Sequence, residues 1–159
     1  MNGPILSIIT VNFNNNLGLL KTLESVSSQS FSSYEHIIID AGSTDGSRET
    51  IIQYEKENPH LSFWSSESDK GIYDGMNKGI DHAKGQYLYF LNSGDCLSQD
   101  ILAKIPFDGT EYLYGDTILF YKRKTKKRVY PDTLDLIYLS DNSLHHQSCF
   151  IHHTLFKDK

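Results

Sequence analysis

The sequence predicts an α/β domain built around a mostly parallel sheet flanked by helices. Three observations carry this. Short β-branched apolar runs alternate with helix-period segments over the first hundred residues, each run is followed by a polar loop, and no run is long enough to be anything but a strand. Alternation of this kind implies right-handed crossovers, with ligands held beyond the carboxyl ends of the strands.

The first strand is LSIITV (6 to 11), apolar on both faces as a buried parallel strand must be. Leu19, Leu23 and Val26 then repeat at helical spacing after NFNNN, whose asparagines suit a helix N-terminus. EHIIID (35 to 40) is the second strand. STDGSRETIIQYEKEN starts with capping residues, carries Ile51 and Ile52 inward and stops at Asn58-Pro59, because the residue before proline avoids helical geometry. LSFWSS (61 to 66) is the third strand. Ile72, Met76, Ile80 and Ala83 form the expected buried stripe of a third helix, which Gly85 can terminate, with Asp69 as its cap. QYLYFL (86 to 91) is the fourth strand. Beyond residue 105, EYLYGDTILFYKRKTKKRVYPD predicts two strands around a basic turn, and SLHHQSCFIHHTLFKDK one more strand and a helix start.

At 159 residues the chain suits one domain. Its 38% hydrophobic and 12% aromatic content excludes a disordered or collagen-like chain. KRKTKKR (122 to 128) holds six of the fifteen basic residues in seven positions, so nine basic residues face twenty acidic ones elsewhere. That acidic body argues against nucleic-acid binding. The basic run, Lys122 to Arg128, reads as a solvated hairpin tip or as a peripheral contact to an anionic membrane. No apolar run approaches the roughly 20 residues of a membrane span, and no signal-peptide pattern opens the chain, so a cytoplasmic location, with contact at the inner membrane face, is the expectation. Cys96 and Cys149 fit reduced thiols.

Topology gathers Asn12, Asp40 and Asp95, each at a strand's carboxyl end, along one edge of the sheet. DAGSTDGS (40 to 47) offers small residues and a helix N-terminus, which accommodate an anion or simply make a capped turn. ESDKGIYDGMNKG (67 to 79) places Tyr73 and Asn77 on one helical stripe. Asp95 in NSGD suits Mg²⁺ or Mn²⁺ completed by a diphosphate, or caps a helix starting near Ser98. His145 and His146, read as strand residues, point to opposite faces.

In order and spacing, LSIITVNFN, IIIDAGSTDGS, SDKGIYDGMNKGI, GQYLYFLNSGD and HHQSCFIHHTLF resemble the family 2 glycosyltransferases of bacterial polysaccharide biosynthesis. The resemblance implies the GT-A fold, the Rossmann-like fold of nucleotide-diphospho-sugar transferases. It also implies inverting transfer from a nucleotide sugar, UDP-linked above all, to a saccharide or lipid-linked acceptor. Carried over, Thr10, Val11 and Asn12 line the base and ribose pocket and Asp40 hydrogen-bonds the base. Asp69 lies near the ribose, Tyr73 and Asn77 shape the donor pocket, and Asp95 meets the divalent cation. Two departures stand out: Ala41 replaces the second Asp of Asp-Asp-Gly-Ser, and Asn92-Ser93-Gly94-Asp95 keeps only the last carboxylate of Asp-x-Asp-Asp.

Family members continue into an acidic motif that supplies the general base. The expectation is therefore a single domain, 1–159, truncated at its C-terminus, with residues 1–105 as the nucleotide-sugar half and 106–159 beginning the acceptor half. The base then lies beyond Lys159, with His146 the candidate within the chain. Two rivals are a catalytically impaired nucleotide-sugar-binding or assembly module and a metal-dependent nucleotidyltransferase. The latter should carry a glycine-rich basic loop where this chain has NFNNN.

Overall fold

The computed structural model describes residues 3–121 and 124–156. Strands β1 (Leu6–Asn12), β2 (Tyr34–Asp40), β3 (Leu61–Ser66) and β4 (Tyr87–Phe90) run parallel, separated by helices α1 (Asn16–Ser27), α2 (Ser47–Glu57) and α3 (Ile72–His82). After them come β5 (Tyr112–Tyr114), β6 (Thr117–Tyr121), β7 (Lys124–Arg128), helix α4 (Leu136–Asp141) and β8 (Cys149–His152). The main sheet has the order β3-β2-β1-β4-β8-β5, with β8 antiparallel to both neighbours, while β6 and β7 pair as a separate hairpin.

Alternation along the strands builds three layers. Ile38 faces Leu19, Leu23 and Ile51 of α1 and α2, while Ile37, Ile39, Ile9 and Val11 face Met76 and Ile80 of α3. Burying one such isoleucine contributes about 1.5 to 3 kcal/mol. Polar atoms within this core are paired: His36 bridges Thr10 Oγ1 (2.9 Å) and Tyr54 OH (3.1 Å). Burial pushes the His36 imidazole down to about 3, so it sits neutral between the two hydroxyls.

Helix α2 ends at Glu57 with Asn58 extended, as the following proline requires. Helix α3 differs from its predicted stripe. Gly75 and Gly79 are its buried residues, Met76, Ile80 and Ala83 are half-buried, and Ile72 is 47% exposed. The glycines let the helix backbone lie directly on β1, which rotates the contact face by one position. A Cβ on Gly79 would come within 2.4 Å of Ile9 Cγ2. Gly79→Ala is therefore expected to destabilise the chain by about 1 to 3 kcal/mol through overpacking, read from the denaturant midpoint. An unchanged midpoint would show that α3 can lift off the sheet without cost.

Five further expectations are corrected. Gly85 does not end α3, whose cap is Ala83; it is buried where a Cβ would meet Ser7 N at 2.5 Å, and its amide donates to Ser7 Oγ. Asp69 does not cap α3 but accepts from the Gly71 amide at 2.8 Å, one residue before the helix. No helix starts near Ser98; a single 3-10 turn spans Leu102–Lys104. His145 and His146 precede β8, with His146 opening the 3-10 turn His146–Ser148. The basic run is mostly strand β7 rather than a turn, and its Lys122 and Arg123 lie outside the described residues. Cys96 and Cys149 are free thiols.

Candidate functional site

The chain lays β1, β2 and β3 outward in order, then returns through α3 to place β4 on the other side of β1. This change of direction at β1 and β4 marks the crevice, beyond the carboxyl ends of the strands, where an α/β sheet accommodates a ligand. Here it is bounded by Asn12 to Asn16, residues 40–47 and residues 92–95.

Asp40, at the end of β2, is fully buried. Its carboxylate accepts from Asn12 Nδ2 (2.7 Å), Ser43 Oγ (2.5 Å), Ser43 N (2.9 Å) and Ser66 Oγ (2.6 Å). Burial by itself raises the Asp40 pKa, but the hydrogen bonds from Ser43, Ser66 and Asn12 together outweigh it and hold the carboxyl below its ordinary value. Thus the ends of β1, β2 and β3 are tied through one charge. Asn12 Oδ1 remains buried without a partner. Thr10 has no exposed surface and Val11 only 8%. Thr10 therefore supports the crevice from the core.

The asparagines do more than start a helix. Asn14 N donates to Ser43 Oγ (2.8 Å), Thr44 N to Asn14 Oδ1 (2.9 Å), and Asn16 N to Asp45 Oδ2 (2.7 Å). Asn15 caps α1 through Gly18 N and donates its Nδ2 to Ser93 O at 2.9 Å. NFNNN is thereby stitched to both DAGSTDGS and NSGD.

In the NSGD loop, Gly94 adopts φ +100°, a conformation that favours glycine. Thr22 of α1 receives the Gly94 amide (2.9 Å) and donates to Asp95 O (2.7 Å), so the backbone of this loop is fixed from below. The half-buried Asp95 carboxylate accepts from Gln147 Nε2 at 3.0 Å. Asn92 Nδ2 lies 3.0 Å from His146 Nε2, leaving Asn92 Oδ1 buried and unpaired. Burial lowers the His146 pKa, an effect that Asp95 opposes and His145 reinforces, which favours a neutral imidazole.

Among the described residues no group of three or more His, Cys, Asp or Glu side chains is placed to hold a metal. One carboxylate with an unpaired amide oxygen three residues away nonetheless fits a hard cation whose other ligands are diphosphate oxygens and water. Asp69 lies over α3, its Oδ2 3.2 Å from the position a Gly75 Cβ would take. Tyr73 is 78% exposed and Asn77 is also exposed, so both stand on the outer face of α3 rather than against the sheet. The structure joins Asn12 directly to Asp40, and the loops through Asn15. Thr22 and Ser66 lie outside the site motifs, while Asn15, Ser43 and Gln147 fall inside NFNNN, DAGSTDGS and HHQSCFIHHTLF without being named there as site residues. Only their hydrogen-bonding side chains hinted at them.

A mostly parallel α/β sheet with polar groups gathered at its switch point defines an α/β protein of the GT-A fold. The family model for Glycosyl transferase family 2 matches residues 7–151, and the chain belongs to that family. It is 37% identical over 101 residues to the glycosyltransferase TuaG of Bacillus subtilis (strain 168), named for teichuronic acid biosynthesis, covering 64% of this chain and 40% of that protein. It is 30% identical over 125 residues to a PGL/p-HBAD biosynthesis glycosyltransferase of Mycobacterium bovis (strain BCG / Pasteur 1173P2), covering 75% and 49%. The chain thus spans less than half the length of these relatives. Among solved structures, Staphylococcus aureus TarS 1-349 superposes with a TM-score of 0.71 at 18% identity, covering 96% of this chain and 48% of that one. The mannosyltransferase PcManGT from Pyrobaculum calidifontis, in complex with GDP-Man and Mn²⁺, gives 0.58 at 18% identity over 64% and 30%. At these identities the superpositions speak to the fold.

Proposed function

We propose that the crevice between β1 and β4 binds a nucleoside-diphosphate sugar, as the donor half of an inverting glycosyltransferase of polysaccharide or glycolipid biosynthesis. The observation that carries this is the NSGD loop: it holds one accessible carboxylate and one unpaired amide oxygen beside the Asp40 network, on a backbone already fixed by Thr22. Asp95, with Asn92, would hold Mg²⁺ or Mn²⁺, which when bound neutralises charge developing on the departing nucleoside diphosphate. Asn12 and Asp69, with Tyr73 and Asn77 on the exposed face of α3, would border the space for base, ribose and sugar, and Val11 would support it from the core. Asp40 acts chiefly by fixing Asn12, Ser43 and Ser66. A base that hydrogen-bonds Asp40 displaces one of those donors.

In inverting transfer the acceptor oxygen bonds the anomeric carbon as the bond to phosphate breaks, and the acceptor's proton passes to a general base. We assign that base to none of the described side chains. His146, neutral and held by Asn92, borders the crevice at a suitable place for a supporting role. The test is calorimetric titration of UDP and of GDP into the chain with Mn²⁺ and with chelator. Metal-dependent heat for one nucleotide, UDP foremost, is expected. No heat from either, with the chain folded by circular dichroism, would sink the reading.

The β6–β7 hairpin supports contact with a membrane that carries a lipid-linked acceptor. No helix of the described residues is long and apolar enough to cross a membrane. On the hairpin, however, Phe120 is 80% and Tyr121 60% exposed beside the exposed Lys124 and Lys126. Aromatic side chains flanked by lysines suit an anionic lipid interface, at about 1 kcal/mol per basic residue. Sedimentation with phosphatidylglycerol vesicles should exceed that with phosphatidylcholine and fall as salt rises. Equal sedimentation with both would return the hairpin to a solvated role.

A further inference from the structure

The six-stranded sheet ends in two unlike edges. At one, β5 is only three residues long, and so short a strand offers little to pair with. At the other, β3 presents Phe63, Trp64, Ser65 and Ser66 in regular register with Ile37 to Asp40, and this stretch carries no charge and no proline. The irregularity between His36 and Ile37 lies before it. Asp40 O accepts from Glu67 N at 3.0 Å, and backbone groups alternate sides along a strand, so those of Trp64 and Ser66 point away from β2. An uncharged edge of this kind is a template for another strand.

The strand is held ready for pairing. Phe63 stacks on His82 of α3, with ring centroids 3.5 Å apart, and Trp64 packs on the other face against the cluster of Leu19, Leu23 and Ile51. With both rings already fixed, a second strand would order little that is not ordered now.

The helix beside this edge identifies the occupant. Helix α2 lies over β2 and β3 and packs against α1, where Thr50 Oγ1 donates to Asn16 Oδ1 at 2.7 Å. At about 100° per residue, Arg48, Ile52 and Glu55 form the stripe opposite Thr50, on the side of the free edge. Arg48 and Glu55 are exposed, and Ile52 is half-buried, outside the cluster that takes Ile51. A partner of one charge sign would satisfy one end of this stripe and clash with the other. Turned about a two-fold axis, the stripe is its own complement: Arg48 meets Glu55 of a second copy, Glu55 meets its Arg48, and Ile52 meets Ile52. The strand obeys the same axis. Antiparallel pairing about Ser65 sets Trp64 opposite Ser66 and Phe63 opposite Glu67, exchanges backbone hydrogen bonds at Trp64 and Ser66 of both copies, and opposes no like charges.

We propose that this edge pairs two copies of the chain antiparallel into one continuous sheet, with their crevices at opposite ends. One strand and one helical stripe from each copy make a contact at the small end of specific interfaces, which predicts reversible association with a roughly micromolar constant. The test is sedimentation velocity over roughly 1 µM to 1 mM, together with amide exchange at Trp64 and Ser66. As concentration rises, the mass is expected to pass from monomer to dimer and both amides to exchange more slowly. Ser65→Lys sets two like charges face to face on the axis and should leave the chain monomeric. Arg48→Glu, which opposes Glu55, should weaken association at least about tenfold, and adding Glu55→Arg should restore it. Arg48 and Glu55 are exposed, so the charge swap still decides the matter if the lysine at the half-buried Ser65 disturbs folding. A monomer throughout the range, a dimer indifferent to Ser65→Lys, or a swap that fails to restore association overturns the proposal. Nucleotide titration reads the crevice and not this edge, so each proposal can fail without the other.

Discussion

Asp95→Ala is expected to abolish metal-dependent nucleotide binding while leaving the chain folded. The loop around Asp95 is shaped by backbone bonds, from Asp95 N to Asn92 O (2.9 Å) and from Thr22 Oγ1 to Asp95 O (2.7 Å), and neither uses the carboxylate. Truncation therefore removes a ligand without removing the loop. As the crevice's one carboxylate for the cation, it should cost more than about 100-fold in apparent nucleotide affinity with Mn²⁺, since loss of an outer-shell partner alone costs about 10 to 100-fold. Gln147→Ala, which removes such a partner, should fall in that smaller range. Calorimetry with and without chelator reads both. Undiminished Mn²⁺-dependent binding in Asp95→Ala would place the cation elsewhere.

Asp40→Ala should cause the largest loss of stability of any single change at the site. Four donors converge on a carboxylate with no exposed surface, and truncation strands them all. Removing one partner of a buried charged network costs about 3 to 5 kcal/mol, enough to shift the denaturant midpoint plainly. The milder Asp40→Asn carries a pH signature. With the folded carboxyl held below its ordinary value, Asp40 contributes stability that is fully present above the unfolded pKa, near 3.9. That contribution is lost as pH falls through the lower folded pKa. The gap between wild type and Asp40→Asn should therefore be constant near neutrality and narrow below about pH 4. His36, which resists protonation in the fold, contributes to the acid response of both proteins and cancels in the comparison. A gap independent of pH down to the acid limit would mean that Asp40 acts by shape rather than charge.

The strand and helix order was legible because burial on both faces makes LSIITV and HIIID near-continuous apolar runs, and parallel strands require crossovers between them. The positions of Asn12, Asp40 and Asp95 followed from the same rule. The stripe on α3 is legible in part: Met76, Ile80 and Ala83 pack against the sheet and Ile72 does not, because periodicity counts apolar side chains. Two glycines made the contact face by their absence of side chain, and that shows only when Ile9 is seen 2.4 Å from a Gly79 Cβ. Likewise the histidines were placed in a strand that begins three residues later, at Cys149.

By itself the sequence determined the alternating α/β order, the family motifs and the three polar strand ends, because these depend on local pattern and on topology that few connections can satisfy. Only the tertiary structure decided what those ends are bonded to. Asp40 proved to be a saturated anchor and Asp95 a half-buried carboxylate steadied by Gln147. The physical reason is that bonds such as those from Ser66 to Asp40 and from Gln147 to Asp95 join residues 26 and 52 apart along the chain, through contacts that no spacing rule encodes.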